Sequence, residues 1–193
     1  RQPPVPDVEA CLDATTSTSW GLWGSLTNWF WQSTHGEKSR PLLRPAGAPQ
    51  SLYLYGDVGT GKSMLMDLFY HTLPSNITRK RRVHFHQFMI DVQKSSHAFK
   101  ARYQDKVHDD VDPIEPVIRD IAQKAEVLCF DEFQVVDIGD AMILRRLLEG
   151  LLRYGVVIVT TSNRHPTELY KNGIQRSSFI PCIELIESQY DVV

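Results

Sequence analysis

The stretch that decides the fold is Gly56-Asp57-Val58-Gly59-Thr60-Gly61-Lys62-Ser63, which fills every fixed position of the pattern G-x-x-x-x-G-K-[ST]. It follows an apolar run at residues 52–55 and precedes an apolar-rich run at residues 64–70. This order predicts a strand, a phosphate-binding loop and a helix. The pattern therefore predicts that residues 56–63 bind a nucleoside triphosphate together with Mg²⁺.

The residue types of this loop suit that chemistry. Glycines let the backbone turn tightly and approach a ligand closely. Backbone N–H groups at the start of a helix converge on an anion, which the helix dipole also favours. We expect Lys62 to reach the β- and γ-phosphates and the Ser63 hydroxyl to bind Mg²⁺. An ordinary glycine-rich turn that caps a helix is the alternative, and the strand–loop–helix context disfavours it.

Composition bounds the class of protein. The 193 residues suit one domain with an appendage, and the hydrophobic fraction of 42% supports a sizeable core. The net charge of −2 argues against binding nucleic acid through bulk charge, so no nucleic-acid partner is expected. The basic run Arg79-Lys80-Arg81-Arg82 is interpreted as a solvated loop before a strand, with a phosphate or partner site as the alternative. Three cysteines without paired spacing indicate neither a disulfide framework nor a zinc site.

Two regions differ in composition. Residues 1–50 are predicted to be a flexible segment rich in Trp and Pro, and residues 51–193 the folded core. All four tryptophans lie in residues 20–32, which suggests either a membrane-interface helix or, preferably, a segment that packs on a neighbouring domain.

The core sequence alternates between strand and helix patterns. Apolar strands separated by helices predict an α/β fold, a five-stranded parallel sheet covered by helices on both faces. The predicted strands are residues 51–55, 82–88, 127–130, 156–160 and 182–186. Helices are predicted from the loop to residue 71 and over residues 91–103, 113–125, 137–154 and 166–170.

Acidic residues end the third predicted strand. Asp131 and Glu132 would lie at the carboxyl edge of the sheet, where open α/β sheets bind ligands. Asp131 suits holding Mg²⁺ through water, and Glu132 suits polarising an attacking water. An acidic region that caps a helix is the alternative.

Polar residues also end the fourth predicted strand. Asn163 is expected to orient the water or contact the γ-phosphate, with a polar turn of no special role as the alternative. Arg176 is the better candidate for an arginine that reaches a neighbouring subunit's site, whereas Arg164 would act within its own subunit. A surface salt bridge is the alternative for both. His84 and His86 would share a strand face, where ordinary core or surface histidines are favoured over a metal site.

Four stretches together resemble the AFG-one-like AAA+ ATPases, a family with mitochondrial members in eukaryotes and a bacterial member, the cell-division protein ZapE. They are residues 54–70, 82–89, 128–138 and 161–176. The resemblance implies a P-loop NTPase core of the AAA+ type with sheet order 5-1-4-3-2, bound to ATP and Mg²⁺. It implies Walker A at residues 56–63, Walker B at Asp131 and Glu132, sensor one at Asn163, and Arg176 in the region of the arginine finger.

The resemblance also implies a cellular role. It suggests a mitochondrial chaperone or remodelling ATPase that works as a homo-oligomeric ring on protein substrates of the inner membrane or respiratory complexes. Phe88 and Met89 would form a substrate-gripping pore loop, or else a core pair. The sequence ends at Val193, before the helical lid that follows such cores, so we expect ATP binding to be retained better than ring assembly or hydrolysis. A phosphotransferase and a nucleotide-gated interaction module are the competing classes.

Overall fold

The computed structural model describes residues 43–103 and 112–193. The predictions for the tryptophan-rich segment lie outside these residues. The part that the structure describes contains five strands and five α-helices. They are β1 (Ser51–Tyr55), α1 (Lys62–Thr72), β2 (Lys80–His84), α2 (Phe85–Tyr103), α3 (Ile114–Lys124), β3 (Val127–Asp131), α4 (Ile138–Arg153), β4 (Val157–Ser162), α5 (Arg176–Gln189) and β5 (Tyr190–Val192), with a 3₁₀ turn at Pro166–Glu168 before α5.

The strands form one sheet in the order β2-β3-β4-β1-β5, and every neighbouring pair is parallel. This confirms the predicted order 5-1-4-3-2. The register pairs Tyr55 with Ser162 and His84 with Asp131. Because the strands are parallel, the carboxyl ends of β1, β3 and β4 meet at one edge of the sheet.

Helices cover both faces of the sheet, as predicted. The larger core lies between the sheet and α2, α3, α4 and α5, with Phe88, Phe130 and Leu144 fully buried in it. The smaller core lies on the other face, where Met66 of α1 packs against Cys129 and Val159. No helix in the described ranges is both long and apolar enough to cross a membrane.

The second strand is shorter than predicted. Strand β2 ends at His84, and Phe85 begins α2, so the prediction of one strand over residues 82–88 is wrong. Phe85 and Phe88 are three positions apart in the sequence, and the rings of both pack on the ring of Phe130. This helical spacing buries both rings, which a strand would place on opposite faces.

That boundary also settles two of the alternatives. Phe88 and Met89 are buried in α2, so the core pair is confirmed and the pore loop is wrong. His84 ends a strand, whereas His86 lies in a helix, so the two do not share a strand face.

The fifth strand lies later in the chain than predicted. Residues 182–186 belong to α5, and β5 begins at Tyr190. The buried residues of α5 include Phe179, Cys182, Ile183 and Ile186, which recur at helical intervals. A short apolar run is consistent with either structure, and packing of α5 against α4 selects the helix.

Candidate functional site

A cleft of about 360 Å³ lies at the carboxyl edge of the sheet. We call it the loop cleft. It brings together the glycine-rich loop, both acidic residues and the polar end of β4. Its lining comprises Val58, Gly59, Gly61, Lys62, Ser63, Met64, Asp131, Glu132, Thr161, Ser162 and Asn163.

The loop has a backbone that requires glycine. Gly59 and Gly61 have φ values of 86° and 83°, a left-handed conformation that side chains with a Cβ rarely adopt. Gly61 is also the residue from which α1 starts. A Cβ at Gly59 would meet no atom within 4 Å, so the backbone angle and not crowding sets this requirement.

Lys62 is held against the loop itself. Its Nζ atom donates to the carbonyl oxygens of Gly56 at 2.8 Å and Asp57 at 2.6 Å, and to the hydroxyl of Thr60 at 3.1 Å. These contacts keep the ammonium group beside the backbone turn and next to the start of α1. This is the position from which a cation can meet phosphate oxygens bound by the loop.

Asp131 connects the loop with the sheet. Its Oδ1 atom accepts hydrogen bonds from the hydroxyls of Ser63 at 2.9 Å and Thr161 at 2.6 Å, and its Oδ2 atom accepts one from Arg82 at 2.9 Å. Burial acts to raise the pKa of this carboxyl. The hydrogen bonds from Thr161, Ser63 and Arg82 outweigh burial and lower its pKa. Asp131 is therefore an ionised, fixed carboxylate directly beside the loop serine.

Glu132 combines an exposed side chain with an unusual backbone. Its side chain is 78% exposed at the loop cleft, and its φ is 57°, which is uncommon for a residue other than glycine. Such strained positions cluster at functional sites, where the surrounding structure enforces them. Here the N–H of Glu132 donates to the Thr161 hydroxyl at 3.2 Å, which helps to hold the conformation.

Thr161 is a site residue that sequence reasoning did not single out. It is buried at the end of β4, and its one hydroxyl donates to Asp131 and accepts from the backbone of Glu132. A signal was available, because polar residues at the end of a buried central strand need partners inside the protein. Ser162 behaves similarly, since its hydroxyl donates to the carbonyl of Phe133 at 2.9 Å.

Asn163 lies in the lining of the loop cleft, whereas Arg164 and Arg176 lie outside it. The exposed Asn163 lines the loop cleft, and its contact with the phosphates or the water stays a prediction. Arg176 begins α5 and donates to the carbonyl of Thr167 at 2.6 Å, and it does not line the cleft of its own chain. Arg164 also lies outside that lining, and its carbonyl accepts a hydrogen bond from Tyr53 at 2.9 Å.

Arg82 is a second residue of the site that sequence reasoning placed elsewhere. The preferred interpretation of residues 79–82 as a solvated loop is wrong from Lys80 onward, because β2 begins there. From β2, the Arg82 guanidinium forms ion pairs with Asp131 and with Asp67 of α1. We call these three residues the Arg82 bridge. The isolated basic run gave no indication of the two acidic partners, which come from distant parts of the chain.

Comparisons with known proteins identify the family to which the chain belongs. The model of the family described as AFG1-like ATPase matches residues 30–193. Protein C115.02c of Schizosaccharomyces pombe is 50% identical over 176 residues, which are 88% of this chain and 38% of that protein. Cell division protein ZapE of Escherichia coli K12 is 44% identical over 144 residues, which are 75% of this chain and 36% of that protein.

Solved structures show the same fold at low sequence identity. Domain III of the replication initiation protein DnaA from Thermotoga maritima matches with a TM-score of 0.53 and 18% identity, over 76% of this chain and 55% of that chain. The chain spans little more than a third of the length of protein C115.02c and of ZapE, whereas the family model covers most of the chain itself. The match of the family model to residues 30–193, together with the glycine-rich loop and its acidic partners, shows that the chain belongs to the AFG1-like ATPase family.

Proposed function

We propose that this protein binds ATP with Mg²⁺ in the loop cleft and hydrolyses it. The observation that carries the proposal is the 2.9 Å hydrogen bond from the Ser63 hydroxyl to the Asp131 carboxylate. It joins the phosphate-binding loop to the acidic end of β3 across 68 positions of sequence. A glycine-rich turn that only caps a helix does not require a buried carboxylate beside it at the carboxyl edge of the sheet.

The residues of the loop cleft suit ATP and Mg²⁺. The loop N–H groups and Lys62 would bind the phosphates, and Ser63 and Asp131 would hold the metal. Mg²⁺ prefers oxygen ligands and is commonly bound by one or two carboxylates together with substrate phosphates. No group of three or more His, Cys, Asp or Glu side chains suited to a metal occurs among the described residues. When bound, Mg²⁺ neutralises charge on the phosphate oxygens.

Hydrolysis needs a group that orients and polarises water. Glu132 is the candidate, because its carboxylate is exposed at the cleft directly after the fixed Asp131. We assign Asn163 to contact with the γ-phosphate or the water, since it lines the same cleft from the end of β4.

The substitution Glu132→Gln tests this assignment. We expect ATP turnover to fall by about 100-fold or more, because a positioned base contributes roughly two to four powers of ten in rate. ATP affinity should stay within about threefold, since the carboxylate is not assigned to the phosphates. Phosphate release and binding of a fluorescent ATP analogue measure the two quantities.

The matched control is Glu187→Gln, which changes an exposed glutamate of α5 outside the loop cleft and should leave turnover unchanged. Normal turnover in Glu132→Gln would remove Glu132 from the mechanism. ATP binding without turnover in the unmodified chain would instead support a nucleotide-gated interaction module.

We further propose that the complete protein is a mitochondrial chaperone or remodelling ATPase. It would act as a ring on protein substrates of the inner membrane or respiratory complexes. Support comes from the resemblance to the family and from the net charge of −2, which provides no bulk attraction to nucleic acid. Fractionation of cells that express the full-length protein tests the compartment, and recovery outside mitochondria would contradict this part of the proposal.

A further inference from the structure

The Arg82 bridge connects a buried carboxylate of the loop cleft to a carboxylate at the surface. Arg82 pairs in register with Cys129, which lies on the face of the sheet that α1 covers. From this face its guanidinium reaches Asp131 Oδ2 at 2.9 Å and pairs with Asp67 Oδ1 through its other terminal nitrogen. The side chains of Arg82, Asp131 and Asp67 are 32%, 8% and 43% exposed.

The bridge gives Asp131 a fixed positive partner. Ser63 and Thr161 occupy Oδ1, and the Arg82 guanidinium occupies Oδ2. A metal ion attracted to Asp131 therefore shares this carboxylate with a cation at hydrogen-bond distance. Like charges repel, so Arg82 should lower the attraction of the site for a divalent cation.

Asp67 supplies a second partner for the same guanidinium. It lies four residues after Ser63 on α1, so both side chains belong to one face of that helix. The planar fork of arginine can bind two carboxylates at once, whereas a lysine ammonium acts as a point charge. The guanidinium can remain bound to Asp67 when its hold on Asp131 weakens.

We propose that Arg82 is a positioning residue that acts as the built-in counter-ion of Asp131 and sets the Mg²⁺ concentration required for ATP binding. Asp67 retains the guanidinium when Mg²⁺ competes with it for Asp131. This inference rests on the proposed function, because that function assigns Asp131 to the metal.

The test measures how ATP binding depends on Mg²⁺. The 193-residue chain is held with a fixed, subsaturating concentration of a fluorescent ATP analogue, and Mg²⁺ is titrated. For Arg82→Met we expect the Mg²⁺ midpoint to fall about tenfold, since one nearby positive charge is removed. Arg82→Lys keeps that charge and should stay within about threefold of the unmodified chain.

Asp67 should change the midpoint in the opposite direction. Asp67→Asn leaves Arg82 with Asp131 as its remaining carboxylate partner in the bridge, so the midpoint should rise. In the double variant that combines Asp67→Asn with Arg82→Met, the Mg²⁺ midpoint should equal that of Arg82→Met alone, because Asp67 acts through Arg82. A role limited to holding the fold would not move the two single variants in opposite directions.

The matched control is Arg81→Met, which changes the neighbouring residue of β2 that pairs with Asp91 at 3.1 Å. Its Mg²⁺ midpoint should not change, and thermal unfolding checks that every variant is folded. An unchanged or higher midpoint in Arg82→Met would overturn the inference, as would an equal effect of Asp67→Asn with and without Arg82. Mg²⁺-dependent binding without turnover in the unmodified chain would contradict the proposed hydrolysis alone, and an absence of ATP binding would contradict both.

Discussion

At the scale of single residues, the loop cleft depends on a few hydroxyl groups that hold charged side chains in place. The Thr161 hydroxyl donates to Asp131 at 2.6 Å and accepts from the Glu132 N–H at 3.2 Å. One buried atom therefore positions the carboxylate assigned to Mg²⁺ and the backbone of the residue assigned to water. Because Glu132 has a strained φ of 57°, loss of that contact should affect its conformation as well as its neighbour.

The substitution Thr161→Val tests this role with little change of shape. We expect it to lower the free energy of unfolding by about 1–3 kcal/mol, because it removes a donor to a buried carboxylate and leaves a backbone N–H unpaired. ATP turnover should fall by about tenfold or more, since Glu132 loses its support. Denaturant unfolding and phosphate release measure the two effects.

Two further variants separate the hydroxyl from the methyl group. Thr161→Ser keeps the hydroxyl and should recover most of the turnover. Thr160→Val changes the adjacent buried threonine, whose hydroxyl makes a 3.5 Å contact to the carbonyl of Leu52, and should have a smaller effect on turnover. Equal turnover in Thr160→Val and Thr161→Val would contradict the specific role of Thr161.

At the scale of elements, the first turn of α4 contains a buried carboxyl group. Asp140 lies in this turn and accepts a hydrogen bond from the Gln93 side chain of α2 at 2.7 Å. Burial raises the pKa of Asp140, and the nearby Asp137 carboxylate adds to the rise. The Gln93 hydrogen bond and His86 oppose it without cancelling it.

This raised pKa predicts a dependence of stability on pH. Since the folded-state pKa exceeds the unfolded value, the folded protein binds more protons between the two values. The free energy of unfolding therefore falls as pH rises through that interval. Asp140→Asn removes the titration and keeps an oxygen that accepts from Gln93. We expect its stability relative to the unmodified chain to improve as pH rises above the ordinary aspartate pKa of about 4.

Denaturant unfolding at several pH values measures this difference. The control is Asp120→Asn on α3, where a carboxylate that is 57% exposed pairs with Lys124. That variant should show no such gain with rising pH. A difference between Asp140→Asn and the unmodified chain that stays constant over the interval would contradict the prediction.

Hydrophobic spacing in the sequence did not predict the boundaries of α2 and α5. In the run from Val83 to Phe88, Val83 and Phe85 have strand spacing, whereas Phe85 and Phe88 have helix spacing. Contact of Phe85 and Phe88 with Phe130 selects the helix. The run at residues 182–186 is equally ambiguous, and its packing in α5 selects the helix. The start of α1 was predictable because a glycine-rich loop before a helix has a specific backbone requirement.

At the scale of the whole molecule, the parallel sheet assembles the site. Loop 56–63, Asp131, Glu132 and Asn163 come from three separate strand ends, and one edge of the sheet brings them to one cleft. Arg176 lies outside the lining of that cleft. A role of Arg176 in the site of a neighbouring subunit stays a prediction.

Mixing of two inactive variants tests this arrangement. We expect Arg176→Ala of the full-length protein to lose about 100-fold or more in turnover while it retains ATP binding, since arginine fingers contribute roughly three to five powers of ten. Mixed with Glu132→Gln, it should regain turnover, because Glu132→Gln supplies Arg176 to an intact neighbouring site. A mixture that remains inactive, with rescue absent at all ratios, would contradict a role between subunits.

Arg153→Ala is the control, since it changes an exposed arginine at the end of α4 and should retain turnover on its own. The same mixing experiment with Arg164→Ala distinguishes the other candidate. A residue that acts within its own subunit cannot be supplied by a neighbour, so this mixture should not recover any activity that Arg164→Ala loses.

The sequence by itself predicted a nucleotide ligand, and it determined the parallel α/β fold and most of the residues that line the loop cleft. These follow from local patterns, because the glycine positions, the apolar strand runs and the polar strand ends each have a short-range physical cause. The tertiary structure alone decided the Arg82 bridge, the double contact of Thr161 and the boundaries of α2 and α5. Each of these depends on groups far apart in the chain, as with Arg82 and Asp131, which lie 49 positions apart. Only the packed sheet and helices bring such partners within the few ångströms over which hydrogen bonds and ion pairs act.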